Sequence, residues 1–128
     1  MLPSTLECSL DAAHQFAPDK LATICPHDGA PLLVRYPPFV LDRARVAERP
    51  WTMWRYREAL PVDDTAVPIS LGEGATPLLA APRTAARLRI DVPLYAKDES
   101  QNPTASFKAR GMSVAVTRAV ALGAQSLV

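Results

Sequence analysis

The stretch Asn102-Pro103-Thr104-Ala105-Ser106-Phe107-Lys108-Ala109-Arg110-Gly111 passes from a loop of turn-forming and hydroxyl residues into a long helix. Apolar or small residues then recur at helical spacing until Gly123, a residue type that commonly follows a helix. They are Phe107, Gly111, Val114, Ala115, Ala119 and Leu122. Residues 92–97 before the stretch and 126–128 after the helix have the apolar character of short strands. Strand, loop, helix and strand predict a βαβ unit of a parallel sheet.

Lys108 opens the predicted helix at the carboxyl end of the predicted strand, where parallel sheets bind their ligands. The positive end of the helix dipole favours the neutral amine, which is the nucleophilic form of lysine. The alternative is a solvated surface lysine, as most lysines are. The neighbouring residues favour a chemical role.

The bulk composition indicates a folded chain and excludes several function classes. The 128 residues are 48% hydrophobic and 21% charged, with a net charge of +1. Scattered arginines give no basic face, so we expect no nucleic-acid partner. No apolar run approaches the roughly 20 residues of a membrane span, and the start lacks a signal-peptide pattern, so we expect a cytoplasmic protein without membrane contact.

Thirteen prolines divide the chain unevenly, because only Pro103 follows residue 93. We predict an extended ribbon over residues 1–36, short helices and a linker over 37–68, and an α/β segment over 69–128. The fold class is therefore α/β, a small extended ribbon followed by the first parallel βαβ unit. Since a parallel sheet has several strands and two covered faces, we expect an incomplete domain, the amino-terminal part of a longer protein.

Three motifs resemble the threonine synthase family of the fold-type II pyridoxal-phosphate enzymes. They are Leu71-Gly72-Glu73-Gly74-Ala75-Thr76-Pro77-Leu78, Lys97-Asp98-Glu99 and the opening stretch. The resemblance implies a pyridoxal 5'-phosphate lyase that converts O-phospho-L-homoserine and water to L-threonine and phosphate. It also implies a small amino-acid substrate and a homodimeric parent. A threonine or serine dehydratase, another β-replacement enzyme, and a non-catalytic interaction module are the alternatives.

The resemblance also assigns site residues. Lys108 would form the imine with the cofactor and later act as a base. Phe107 would contact the cofactor, or else anchor the helix in the core. Thr76, Thr104 and Ser106 would bind substrate, although capping the helix is the alternative role for Thr104 and Ser106.

Other positions in the motifs favour structural roles. Arg110 could hold an anionic substrate or form a salt bridge, and Glu73 is expected to make a structural contact. Ala105 stands where the family often has glycine, and alanine disfavours a positive φ. The family's later glycine-rich loop has no counterpart before Val128, so we expect the isolated chain to be inactive.

The two cysteines begin degenerate knuckles. The family often has paired Cys-x-x-Cys motifs, whereas this chain has Cys8-Ser9-Leu10-Asp11 and Cys25-Pro26-His27-Asp28. Cys8 and Cys25 are the remaining metal candidates, and His14 and His27 could replace the lost thiols. Because structural zinc sites favour four sulfur or nitrogen ligands, we expect turns that have lost the ion, and no zinc.

Overall fold

The computed structural model describes residues 5–126, which form a mixed α/β structure. The strands are β1 (Thr5–Cys8), β2 (Gln15–Phe16), β3 (Leu32–Arg35), β4 (Leu78–Ala80) and β5 (Tyr95–Lys97). The α-helices are α1 (Arg43–Glu48), α2 (Pro82–Leu88) and α3 (Lys108–Ala121). Short 3-10 helices cover Met53–Ala59, Glu99–Gln101 and Pro103–Ala105.

The first three strands form an antiparallel sheet in the order β2-β1-β3. Leu6 in β1 lies opposite Phe16 and Val34 on its two neighbours. Alternation along β1 turns Cys8 inward, as the two-residue period of a strand requires. Cys8 packs there with Cys25 and Ala30, so two thiols form the centre of this small core.

A second core forms around the 3-10 helix Met53–Ala59. Met53, Trp54 and Val62 are buried together, and Val114 of α3 packs against them. The buried Arg55 donates from Nε and Nη2 to the carbonyl oxygen of Val46, at 3.0 and 2.7 Å. Helix α1 is thereby attached to the second core.

Strands β4 and β5 pair antiparallel, with Leu78 opposite Lys97 and Leu79 opposite Ala96. Helix α2 joins them, beginning at Pro82 and ending where Arg89 takes a left-handed conformation that reverses the chain. The predicted parallel βαβ unit is not confirmed, because both sheets within residues 5–126 are antiparallel. Ser126 lies in no strand, and the rest of the strand predicted after α3 lies outside the described residues.

The buried face of α3 differs from the predicted apolar face. Phe107, Gly111 and Ala115 are exposed, and the buried residues are Ala109, Ser113, Thr117 and Ala119. Hydrogen bonding explains the difference, because polar groups that become buried must find partners. Ser113 and Thr117 supply them: Ser113 Oγ donates to Ile69 O at 2.7 Å, and Thr117 Oγ1 accepts from Ile69 N at 2.9 Å.

Helix α3 also contacts the segment that follows β2, since Arg118 Nη2 donates to the carbonyl oxygen of Pro18.

Among residues 5–126, none of the helices combines the length and the apolar character that a bilayer crossing demands. The division into segments 1–36, 37–68 and 69–128 stays a prediction.

Candidate functional site

Lys108 is the first residue of α3, and its side chain is exposed. Its backbone N–H donates to Ser106 Oγ at 3.2 Å, which satisfies one of the free amides at the helix start. Ser106 therefore satisfies one amide at the helix start, although the N-cap position itself is Phe107, whose side chain makes no capping hydrogen bond. Within residues 5–126 the amine of Lys108 forms no ion pair or hydrogen bond, so it is available to a ligand.

The loop before Lys108 has an unusual backbone. Thr104 and Ala105 take positive φ angles of 64° and 51°, and Ala105 N donates to Asn102 O at 2.9 Å. The expectation that alanine would keep position 105 out of this region is wrong. A non-glycine residue in the left-handed region costs roughly 1–2 kcal/mol, so surrounding contacts must hold the loop in place.

Asn102 provides the first of these contacts. The residue is buried, and its Nδ2 donates to Glu99 Oε2 at 2.8 Å and to Glu99 O at 3.1 Å. Its Oδ1 accepts from the backbone N–H of Gly74 at 3.1 Å. One side chain thus fastens the loop before α3 to the glycine motif that precedes β4.

Glu99 and Arg110 form the second contact. Arg110 donates to Glu99 through Nε at 2.6 Å and through Nη2 at 2.9 Å, a two-point geometry that is among the strongest side-chain pairings. Thr76 Oγ1 donates to Glu99 Oε1 at 2.6 Å and accepts from Arg110 Nη2 at 3.0 Å. Hydrogen bonds from Arg110 and then Thr76 lower the pKa of Glu99 from its ordinary 4.5 to about 2.

This network determines where several predicted site residues lie. Thr76 is buried, and its hydroxyl already donates to one partner and accepts from another. Arg110 forms the ion pair that was one of its two predicted roles. Phe107 is 64% exposed, so the alternative prediction that it anchors the helix in the core is wrong. Thr104 is also exposed. Their contacts with cofactor or substrate stay predictions.

A small cavity of about 140 Å³ lies beside the network, against the 3-10 helix Met53–Ala59. Tyr56, Ala75 and Thr76 line it together with Lys97 and Arg110. Lys97 Nζ donates to the carbonyl oxygen of Thr76. The cavity is therefore lined by three cationic side chains, Arg55, Lys97 and Arg110, and each is already engaged in hydrogen bonds.

The glycine motif itself forms a turn, as predicted. Gly72 and Gly74 have φ angles of +92° and +105°, which glycine adopts without steric cost. Glu73 is buried and accepts from Ser70 Oγ at 2.5 Å and from Leu71 N at 3.1 Å. Its role is structural, in agreement with the sequence expectation.

The first sheet brings together residues that the sequence had only partly connected. Ligand atoms of Cys8, His14, Cys25 and Asp28 all lie within 4.8 Å of one another. The signal in the sequence was the knuckle spacing, but it did not show which histidine would join the cysteines. His27 stacks on His14, with ring centroids 4.3 Å apart.

Sequence reasoning missed the role of Glu99. An acidic residue in a polar loop is ordinarily solvated, and its partners Arg110 and Thr76 lie 11 and 23 residues away along the chain. The local hint was Asn102, which follows Glu99 by three residues, because two side chains at this spacing can form a hydrogen bond across one turn.

Parts of the chain are similar to known proteins. Residues 69–128 match the family of pyridoxal-phosphate dependent enzymes. The chain is 47% identical over 85 residues to threonine synthase of Methanocaldococcus jannaschii, covering 66% of this chain and 21% of that protein. It is 46% identical over 81 residues to threonine synthase of Mycobacterium leprae, covering 62% and 22% of the two chains.

A third relative covers more of the chain. Threonine synthase of Methanosarcina acetivorans is 34% identical over 120 residues, which is 92% of this chain and 29% of that protein. The chain thus spans 21% to 29% of the length of these curated relatives. No solved structure matches it. Residues 69–128 therefore match the pyridoxal-phosphate dependent enzyme family, and the chain resembles part of a threonine synthase.

Proposed function

We propose that this chain is the amino-terminal part of a threonine synthase that converts O-phospho-L-homoserine and water to L-threonine and phosphate. The observation that carries the proposal is the exposed amine of Lys108 at the start of α3, which has no partner in the described part of the chain and lies inside a segment that matches the pyridoxal-phosphate family. The amine is a suitable group for covalent attachment of an aldehyde cofactor.

Bound pyridoxal phosphate supplies an electron sink that stabilises negative charge on substrate carbons. Lys108 would hold the cofactor through its Nζ and, once released, would carry protons to and from the substrate. Ser106 holds the backbone at Lys108, and the Asn102 and Glu99 contacts hold the loop before it. Arg110 is committed to Glu99, so the proposal gives it a positioning role and not a substrate contact.

The exposure of one strand pair supports a chain that forms part of a larger enzyme. Every residue of β4 and β5 is exposed, including Leu78 at 63% and Leu79 at 51%. An antiparallel sheet commonly packs one face on a core, and neither face of this pair is covered, so we infer that further segments pack on it. For the same reason residues 1–128 alone are proposed to be inactive.

Labelling with the cofactor tests the role of Lys108. The chain and the longest natural polypeptide that contains it are each incubated with pyridoxal phosphate, reduced with borohydride, digested and mapped. In the longer polypeptide we expect the label on Lys108. The matched control is Lys20→Ala, since Lys20 is another exposed lysine, and this variant should be labelled like the unmodified protein.

Two outcomes would contradict the proposal. Equal labelling of Lys20, Lys97 and Lys108 in the longer polypeptide would remove the special role of Lys108. A borohydride-reducible visible absorbance in the 128-residue chain, lost in Lys108→Ala, would show that this part alone assembles the cofactor site.

The substrate is tested separately in the longer polypeptide. Phosphate released from O-phospho-L-homoserine supports threonine synthase, whereas ammonia released from L-threonine would assign the protein to the dehydratases. Lys108→Ala should abolish whichever product forms.

A further inference from the structure

Four potential metal ligands converge at the edge of the first sheet, in a part of the chain that contributes nothing to the contacts around Lys108. Cys8 ends β1, His14 precedes β2, and Cys25 and Asp28 flank the turn before β3. Only 2% of Cys8 and 1% of Cys25 is exposed, while His14 and Asp28 are partly accessible. The cluster is therefore closed on the protein side and open to an ion on the other.

Three of the distances within the cluster are close to those of a tetrahedral zinc site. Zinc bonds of about 2.3 Å to sulfur and about 2.0–2.2 Å to nitrogen or oxygen place neighbouring donors roughly 3.4–3.8 Å apart. Cys8 Sγ lies 3.3 Å from Asp28 Oδ2, and Cys25 Sγ lies 3.7 Å from His14 Nδ1. His14 Nδ1 is 3.6 Å from Asp28 Oδ2. Three edges of the tetrahedron are thus already formed.

The groups around the cluster resemble the support that metal ligands usually have. His14 turns Nδ1 toward the cluster and Nε2 toward Asp11 Oδ2 at 3.6 Å, and a carboxylate behind the second ring nitrogen orients many metal-binding histidines. The backbone N–H of Leu10 donates to Cys8 Sγ at 3.4 Å and helps to hold the sulfur in place. His27 stacks on His14 and holds the ring in place.

The size of this unit provides an independent argument. Among the described residues its buried core cluster consists of Cys8, Cys25 and Ala30, with Phe16 and Leu32 packed against them, and its strands are two to four residues long. Small units with such cores are commonly stabilised by a metal or a disulfide. Cys8 and Cys25 are free thiols here, so a metal can perform this function.

We propose that Cys8, His14, Cys25 and Asp28 bind one thiophilic divalent cation, with zinc as the preferred ion. Two sulfur donors and one imidazole favour zinc over magnesium or calcium, which bind oxygen. The ion would be structural, because all four tetrahedral positions are taken by protein atoms. The proposal departs from the expectation that the turns have lost the ion: Asp28 would supply one ligand, while Asp11 lies behind His14.

Metal binding by the purified full chain tests the proposal. We expect one zinc ion per chain by elemental analysis after dialysis. Cobalt(II) should give the visible bands of a tetrahedral ion and a thiolate charge-transfer band. Cys25→Ser and His14→Gln should lose the ion, and Asp11→Asn should lower the affinity about 10-fold as a supporting residue does.

The matched control is His27→Gln, which removes a neighbouring ring that is not a ligand and should keep one ion per chain. Asp28→Cys should bind zinc more tightly than the unmodified chain. This variant tests the site even if Cys25→Ser fails to fold. A folded chain that holds only substoichiometric zinc and gives no cobalt bands would overturn the proposal. Equal losses in His14→Gln and His27→Gln would also overturn the assignment of His14.

Discussion

Replacing Gly74 by alanine perturbs the contact between the glycine motif and the 3-10 helix Met53–Ala59. Gly74 has a φ of +105°, and a Cβ atom on it would lie 2.4 Å from Met53 N and 3.1 Å from both Met53 Cα and Thr52 C. All three are backbone atoms, so no side-chain rotation can relieve the clash. The Met53 N–H also donates to Glu73 O at 2.9 Å across the same contact.

The magnitude follows from three effects. The positive φ alone costs roughly 1–2 kcal/mol for an alanine. Moving Met53 away weakens its bond to Glu73, and moving Gly74 weakens its bond to Asn102, each worth about 1 kcal/mol. We therefore expect Gly74→Ala to lower the free energy of unfolding by about 3–4 kcal/mol.

Gly72→Ala is the matched control, since Gly72 has a φ of +92° but no atom within 4 Å of its added Cβ. It should lose only the conformational part, about 1–2 kcal/mol. Urea unfolding followed by tryptophan fluorescence measures both, because Trp54 is buried in the adjacent core. If the two variants unfold at the same urea concentration, the contact of Gly74 with the backbone of Met53 does not contribute the stability assigned to it.

Three further predictions concern the loop, the polar face of α3 and the acidic network. Ala105→Gly should raise the free energy of unfolding by about 1 kcal/mol, because glycine adopts the observed φ of 51° without steric cost; a decrease in calorimetry would contradict the strained loop. Ser113→Ala should lower it by about 1–3 kcal/mol, since Trp54 Nε1 and Ile69 O lose their partner; an unchanged melting temperature would show that water replaces the hydroxyl. The folded pKa of Glu99 is about 2, below its ordinary 4.5, so this carboxylate stabilises the fold above pH 4.5 and loses that effect as the pH falls toward 2. Glu99→Gln should therefore show a smaller loss of stability on acidification than the unmodified chain, and parallel curves in acid titration would refute the assignment.

Local signals in the sequence predicted helix α3 well. The helical spacing from Phe107 to Leu122, followed by Gly123, agrees with the observed bounds of Lys108–Ala121. The buried face of α3 could not be predicted in the same way. Periodicity counts apolar residues, whereas Ser113 and Thr117 are buried because their hydroxyls satisfy the backbone of Ile69.

The position of Lys108 at a helix start followed from the sequence, but the contacts that fix its loop did not. Propensity argued against a positive φ at Ala105, and tertiary contacts override that preference here. Glu99 joins Thr76 and Arg110 from separate parts of the chain, and no local spacing reveals such a meeting. The same applies to the first sheet, where strand pairing places His14 and Asp28 beside the two cysteines.

The strained loop and the polar network depend on each other. Thr104 and Ala105 hold a conformation that isolated chains avoid, and the hydrogen bonds of Asn102 to Gly74 and Glu99 oppose its relaxation. Because Lys108 follows three residues later and its N–H donates to Ser106 Oγ, its backbone has a defined place before any ligand arrives, although its side chain has no partner among residues 5–126. Pre-formed geometry of this kind lowers the entropy that binding must overcome, since the loop is ordered in advance. The residues that position Lys108 thus act without contacting the ligand, and changes in them should alter attachment to Lys108 while leaving the chemistry of its amine intact.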